Sequence, residues 1–261
     1  MTEAFRIVHI TDTHLWADPD TVYRGWRTNR SLLAVVEHIR AQGPQPDAVL
    51  LTGDLAHDEK PRTYRRLRDI IATLEAPVWA LPGNHDHPAA FQQHLAPACY
   101  LSHVDIPGWR VILLNSHLPG RIGGRLQESE LARLTQLLED CQTPCLVALH
   151  HPAWQVHSAW LDVIGLENGP QLMELLMKSE QVRAVVCGHI HQQWDRRLGH
   201  LQLLATPSTC RQFLPGSTEF AEDAQPPGYR WLILRPNGAF ETRIERVPQA
   251  RSCGLIKEAF S

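Results

Sequence analysis

Along the chain, short runs of apolar residues alternate with longer stretches in which apolar positions recur every three or four residues. The runs Phe5 to Ile10, Ala48 to Leu51, Val78 to Leu81, Val111 to Leu114, Cys145 to Leu149, Val182 to Cys187 and Leu201 to Ala205 suit buried strands. Between them, four groups each line one side of a helix: Leu32, Val35, Val36 and Ile39; Tyr64, Leu67, Ile71 and Leu74 behind Pro61; Leu131, Leu134 and Leu138; Leu172, Leu175 and Leu176. Strand and helix therefore alternate, which predicts a mixed α and β fold. The end of the chain differs. Tyr229 to Leu234, the turn signal Pro236-Asn237-Gly238 and Phe240 to Val247 predict a β-hairpin at about 229–247. The stretch from Phe213 to Pro227, with three prolines, is long for an internal connection, and loops of that kind are commonly lids or binding loops; its own part is left open.

A chain of 261 residues with 43% hydrophobic content can bury a proper core, and it is read as one domain over 1–261. A net charge of -3, from 25 basic and 28 acidic residues, lacks the broad positive footprint of a nucleic-acid binder and points to a small-molecule partner. No apolar segment approaches the roughly 18 residues of a membrane span, and the first residues do not resemble an export signal, so a cytoplasmic location is expected. Cys99, Cys141, Cys145, Cys187, Cys210 and Cys253 form no C-x-x-C pair and are expected as thiols. The compositional oddity is 15 histidines, more than the 10 phenylalanines and tyrosines together. That excess prompts a search for metal ligands.

Five of the apolar runs end in groups able to bind metals: Asp12-Thr13-His14, Gly53-Asp54, Gly83-Asn84-His85-Asp86, His150-His151-Pro152 and Gly188-His189-Ile190-His191. Sites in open α/β sheets form beyond the carboxyl ends of the strands, so these distant segments are expected to converge. Asp12 and His14, like His189 and His191, stand two residues apart, and an extended backbone would project each pair to one side. Gly53, Gly83 and Gly188 each precede a candidate ligand, where a missing Cβ permits unusual dihedrals and close backbone approach. Taken singly, Asp12, His14, Asp54, Asn84, His150, His189 and His191 each have an ordinary explanation as a cap, turn or surface group. Jointly, at successive strand ends, they do not. The donors are oxygen and imidazole nitrogen without thiolate, which suits iron, manganese, zinc or cobalt in a catalytic site. Two such ions about 3.5 to 4 Å apart form a recurrent clamp for phosphoester cleavage.

The series D-x-H, G-D, G-N-H-D, H-x-P and G-H-x-H, in this order over Asp12 to His191, resembles the calcineurin-like metallophosphoesterase superfamily. The resemblance implies a four-layer αββα sandwich of two mixed sheets with helices outside, and two divalent or mixed-valence ions per subunit. It implies one ion held by Asp12, His14, Asp54 and His191 and the other by Asp54, Asn84, His150 and His189, with Asp54 shared. His85 is then no ligand but contacts the phosphate or protonates the leaving group, with Asp86 orienting it; His14, Asn84, His85 and His191 face the substrate. Ile10 to Leu15, Leu81 to Asp86, Cys187 to Gln192 and Ala205 to Cys210, with Gln212 and Phe213, also look like the bacterial class III 3',5'-cyclic-AMP phosphodiesterases. That similarity implies hydrolysis of cyclic AMP to 5'-AMP by a hydroxide bridging the ions, in line with the 3' oxygen. Purple acid phosphatases carry a tyrosine three residues after the bridging aspartate; His57 stands there, so no purple iron site is expected.

Other residues receive plainer expectations. His9, His38, His94, His103, His117, His157 and His200 are read as surface or satisfied core groups, and His151 as structural. His57 and His87 are left open, and Trp16 and Trp154 are candidate adenine contacts. Two rival functions remain in view: a phosphoesterase of a glycerophosphodiester, nucleotide-linked lipid precursor or phosphomonoester, and a catalytically silent metal-binding scaffold. The complete ligand set together with His85 argues against the scaffold.

Overall fold

Each apolar run forms a strand and each helical pattern a helix in the computed structural model, which describes residues 3–95 and 102–254. Cys99 lies outside the described residues. In chain order the elements are β1 (Phe5–Ile10), α1 (Thr28–Gln42), β2 (Ala48–Thr52), α2 (Pro61–Ala72), β3 (Val78–Leu81), α3 (Pro88–His94), β4 (His103–Ile106) and β5 (Trp109–Leu113). There follow α4 (Glu128–Glu139), β6 (Cys145–Ala148), α5 (Ala159–Asp162), α6 (Gly169–Met177), β7 (Val182–Cys187), β8 (Trp194–Leu198) and β9 (Leu201–Ala205). The last described elements are β10 (Gln212–Phe213), β11 (Glu222–Asp223), β12 (Gly228–Leu234), β13 (Phe240–Arg246) and α7 (Pro248–Gly254).

Two mixed sheets result, ordered β13-β12-β1-β2-β3 and β4-β5-β6-β7-β9-β8. Side-chain alternation sorts the strand residues into layers. Ile7, Leu50, Val111, Leu146, Val186, Leu204 and Leu232 point inward and form a core shared by both sheets. Their neighbours Val8, Val49 and Trp231 point the other way, onto Leu32, Val35, Ile39, Tyr64 and Leu67 of α1 and α2. Val147, Val185 and Leu203 likewise meet Leu134, Leu138 and Leu172 of α4 and α6. This is the expected four-layer arrangement, and burying each such side chain contributes about 1.5–3 kcal/mol.

Near the carboxyl ends of the strands the inter-sheet layer turns polar. His9 bonds Thr52 Oγ1 on one ring nitrogen and Thr206 Oγ1 on the other, both at 2.7 Å. Arg230, paired with His9 across β1 and β12, donates from Nε to Thr206 Oγ1 at 3.1 Å and from Nη2 to the Ala205 carbonyl at 2.9 Å. Burial, with Arg230 nearby, holds the His9 ring well below its ordinary pKa, so it ties the sheets together as a neutral group. The parallel registers Ile10↔Leu51, Thr52↔Leu81 and Ala148↔Val186 bring the strand ends level, which sets the motif loops side by side.

Three features depart from the sequence pattern. β8 is an edge strand reading Trp-Asp-Arg-Arg-Leu, exposed at four of its five positions, so it carries no hydrophobic period. β4 is likewise an edge strand. The long connection after Phe213 contains a short hairpin, with β10 and β11 pairing Phe213 with Glu222.

Candidate metal centre

The loops after β1 and β2 run on together past the strand ends. Asp12 N–H donates to the Gly53 carbonyl at 3.0 Å and His14 N–H to the Asp54 carbonyl at 2.9 Å. Here the expectation of an extended backbone fails. Asp12, His14, Asp54, His189 and His191 have φ of 54°, 45°, 52°, 69° and 48°, the left-handed region that side chains with a Cβ disfavour. Such residues cost of order 1–3 kcal/mol each and persist where surrounding structure dictates them. Gly83 and Gly188 serve close approach, not dihedral freedom: a Cβ would stand 2.3 Å from Asp54 Oδ1 at the first and 2.0 Å from Thr11 Oγ1 at the second.

The seven predicted ligand residues converge. His14 Nε2 lies 3.1 Å from His191 Nε2, and His191 Nε2 lies 3.3 Å from Asp12 Oδ1. Asp54 reaches both ways, with Oδ2 3.7 Å from His14 Nε2 and Oδ1 3.4 Å from His150 Nε2. His150 Nε2 is also 3.2 Å from Asn84 Oδ1 and 3.3 Å from His189 Nδ1. Donor atoms sharing one ion at 2.0–2.2 Å stand roughly 3.0–3.5 Å from one another, so the spacing fits two neighbouring ions with Asp54 between them.

The outward nitrogens of these rings explain the inward ones. His150 Nδ1–H donates to the Thr52 carbonyl at 2.6 Å, His189 Nε2–H to the Ile164 carbonyl at 3.0 Å and His191 Nδ1–H to the Arg211 carbonyl at 3.0 Å. A carbonyl only accepts, so one proton is fixed there, and each ring in its neutral form turns a lone pair to the centre. His14 uses a side chain instead: its Nδ1 meets His57 Nδ1 at 3.2 Å. Burial, followed by the charge of His85, pushes the His57 ring down to about 4, which leaves it neutral and able to accept. His14 and His191 then face each other through Nε2, and between two carboxylates that arrangement calls for cations.

Electrostatics agree. Burial alone would raise the Asp54 carboxyl, but His150 and His85 outweigh it and hold it well below the usual carboxylate range. Burial works against the charge on His150 too, yet Asp54 wins and lifts that ring to about 9. Burial and the nearby His150 push His189 down to about 3.

His85 donates its backbone N–H to Asp54 Oδ1 at 2.8 Å. Its ring lies on His57, centroids 4.5 Å apart, and meets His14 edge-on at 5.1 Å. Asp86, which the resemblance implies orients this ring, makes its hydrogen bonds to the loops that flank it. The buried Asp86 carboxylate accepts from the N–H groups of Gly83 (2.9 Å), Leu55 (3.1 Å) and Ala56 (3.0 Å) and from the Tyr64 hydroxyl (3.0 Å). It therefore clamps the Asp54 loop to the Asn84–His85 loop through backbone. Burial, then the charge of Asp54, raises its pKa to about 6. The Ala205 to Cys210 segment has a related supporting place, since Ser208 Oγ donates to the Asp12 carbonyl at 2.7 Å.

Among the open residues, His57 joins the site, and His87 caps α3 by accepting from Ala90 N–H at 3.3 Å. His151 bonds Ser116 Oγ at 2.8 Å and the Ile122 carbonyl at 3.0 Å, so both its ring nitrogens are occupied. Trp16 packs on His57 at 4.9 Å, while Trp154 stacks on Trp194 at 5.6 Å. Tyr64 and Arg211 escaped the sequence reading because they touch the site only through partners. Helical spacing from Pro61 signalled Tyr64 as core, not as a hydroxyl donor.

A two-sheet sandwich with carboxylates and imidazoles gathered at one set of strand ends is the architecture of a dimetal phosphoesterase. Residues 5–193 match the family described as calcineurin-like phosphoesterase, and the chain belongs to it. The family uses a dinuclear metal centre, which the Asp and His clusters found here are able to provide. The chain is similar to a 3',5'-cyclic adenosine monophosphate phosphodiesterase of Pseudomonas aeruginosa, 40% identical over 92% of this chain and 89% of that protein. It is also similar to a 3',5'-cyclic-nucleotide phosphodiesterase of a Nostoc species, 37% identical over 93% of this chain and 92% of that one. Among solved structures, a dimetal phosphatase from Danio rerio shares the fold at a TM-score of 0.64, with 15% identity, covering 94% of this chain and 100% of its own.

Proposed function

We propose that this chain is a dimetal phosphodiesterase that hydrolyses 3',5'-cyclic AMP to 5'-AMP. The observation that carries the reading is the set of imidazole lone pairs and carboxylate oxygens facing one another at 3.1–3.4 Å, in a chain 40% identical to a cyclic AMP phosphodiesterase. Asp12, His14, Asp54 and His191 would hold one ion, and Asp54, Asn84, His150 and His189 the other. When bound, such ions lower the pKa of a water and neutralise charge on the phosphoryl oxygens. The remaining work falls to side chains. His85 donates a proton to the departing 3' oxygen, which as an alkoxide leaves poorly. His57 holds the ring of His85 by stacking and accepts from His14, and Asp86 fixes the loop that carries both Asn84 and His85. His14, Asn84, His85 and His191 face the substrate.

The chain acts as one domain, in which β8, β9, β12 and β13 from beyond the family match complete both sheets. Five free cysteines among the described residues, with Cys145 Sγ donating to Cys141 Sγ at 3.5 Å as a thiol, support a reducing cytoplasm as its location. The test is elemental analysis of one purified preparation together with a panel of cyclic AMP, cyclic GMP, a glycerophosphodiester and a phosphomonoester. Cyclic AMP turnover with two metal equivalents is expected. Efficient phosphomonoester cleavage without cyclic AMP cleavage would refute the substrate, and bound metal without any hydrolysis would leave a scaffold.

A further inference from the structure

At the amino end of β6, opposite the end that leads to His150, two thiols meet. Cys141 follows α4 and Cys145 opens β6, and the Cys145 thiol donates to Cys141 Sγ at 3.5 Å. Both sulfurs also lie 3.4 Å from the Thr143 carbonyl, and Cys141 Sγ is 3.3 Å from the Thr143 hydroxyl. Cys210 Sγ, by contrast, has the Ser208 hydroxyl for its neighbour at 3.2 Å. Among the described residues no other two thiols are hydrogen-bonded to each other.

The turn that joins the two is short and reaches solvent. Gln142 and Thr143 are exposed, while Cys141 and Cys145 beside them are buried, so a local opening of this turn uncovers the sulfurs. Backbone hydrogen bonds hold both ends, from Cys141 N–H to the Leu138 carbonyl at 3.2 Å and from Cys145 N–H to the Gln181 carbonyl at 2.8 Å. The register of β6 on β7 shifts between Cys145 and Leu146, which disrupts the ladder locally. The Arg110 guanidinium, anchored on Asp105 at 2.7 Å and on the Leu137 carbonyl at 3.0 Å, places positive charge near both thiols, the surroundings in which cysteines react. Burial, and then Cys141, push the Cys145 thiol well up, so Cys145 keeps its proton and Cys141 attacks first.

A disulfide holds its sulfurs about 2.05 Å apart, so a thiol pair already in contact at 3.5 Å needs only a short side-chain movement to close. We propose that Cys141 and Cys145 form a reversible thiol–disulfide site, closed by a disulfide oxidant of the glutathione type. The Cys141 thiolate attacks one sulfur of the oxidant; the S–S bond there breaks, and the departing thiolate takes up the proton that Cys141 gave to solvent. The Cys145 sulfur then attacks Cys141 Sγ in the mixed disulfide, and the second half of the oxidant leaves with the Cys145 proton. Two protein thiols are oxidised and one disulfide is reduced to two thiols. In a reducing cytoplasm the pair rests open, as it stands here.

The experiment equilibrates the metal-loaded full chain with graded mixtures of reduced and oxidised glutathione, then quenches with acid, alkylates, and weighs the tryptic peptide 134–178, whose only cysteines are these two. A parallel series is run in urea. The folded chain is expected to lose two hydrogens from this peptide, regained with dithiothreitol. The ratio [GSH]²/[GSSG] at half conversion should be about tenfold or more higher than in urea, because a disulfide that stabilises the folded chain is by linkage favoured by folding. Cys145→Ser should stop at a mixed disulfide of Cys141 with glutathione, and Cys145→Ala, which adds no hydroxyl to the core, repeats that test. A folded wild type that closes the bond no more readily than in urea overturns the proposal. So does a peptide that stays dithiol while the exposed Cys253 carries glutathione. Both of these readings come from the wild type, so a misfolded variant does not touch them.

Discussion

The two sheets bring different chemistry to the same place. The loops after β1, β2 and β3 supply Asp12, Asp54 and Asn84, every oxygen donor of the candidate centre, with His14 the one imidazole among the predicted ligands there. The loops after β6 and β7 supply His150, His189 and His191, and no carboxylate. Support differs as well. The second sheet's rings are all anchored on backbone carbonyls, whereas His14 leans on the side chain of His57. The difference teaches that neither sheet can hold an ion alone. Charge compensation comes from one and geometric constraint from the other, so the centre depends on the sheet packing that His9, Thr206 and Arg230 reinforce beneath it.

Removing the residue through which the sheets meet tests that view hardest. Asp54 faces His14 on its own sheet and His150 on the other, so Asp54→Ala is expected to lose both ions. Turnover should fall beyond the roughly 10⁴-fold that loss of a general acid can account for. Elemental analysis alongside activity checks this, and a variant that still binds two equivalents would show that Asp54 is not shared. His85→Ala comes next in size. It should keep its metal while turnover drops about 10²- to 10⁴-fold, and a fully active variant would take His85 out of the reaction.

The asymmetry in support predicts a smaller effect. His57→Ala removes the acceptor of His14 Nδ1–H and the face on which His85 lies, so metal affinity or activity should fall about 10- to 100-fold, as for other groups that orient ligands. Unchanged affinity and turnover in this variant would mean that His14 needs no partner. No comparable substitution exists on the second sheet, where the supporting acceptors are main-chain oxygens.

Much of this was legible in the sequence, and the reasons for the remainder are physical. Fully buried strands such as Val49 to Leu51 announce themselves by apolar continuity, and the ligand motifs by chemistry that recurs at strand ends. β8 did not, because an exposed edge strand has no hydrophobic face to display. The left-handed backbone at Asp12, His14, His189 and His191 was also hidden, since composition suggests such turns only where glycine or asparagine stands. The role of Asp86 came from the resemblance alone, and only the folded chain shows its carboxylate turning back to the amides of Leu55 and Ala56. Tyr23 and the Arg211 guanidinium, 5.2 Å from its ring, stand nearly 190 positions apart, and only the folded chain unites them.

The gentlest probe is pH, because the two sheets should differ in the protons they give up when metal enters. Without metal, burial opposes charge on His150 but Asp54 lifts the ring to about 9, so at neutral pH it carries an extra proton on the nitrogen that a metal needs. His14 and His57 are both pushed down, chiefly by burial, and are neutral already. Metal uptake at pH 7 should therefore release a proton from the second sheet's side of the site and none from the His14 side. With one proton displaced, apparent affinity should rise about tenfold per pH unit and level off above about 9. Calorimetric titration of metal-free protein, repeated in buffers of different ionisation enthalpy, counts the protons. In His57→Ala the proton count should persist even as affinity falls, because His150 and Asp54 remain. A count of zero, or an affinity flat between about pH 6 and 8, would mean that the His150–Asp54 pair holds no proton for the metal to displace.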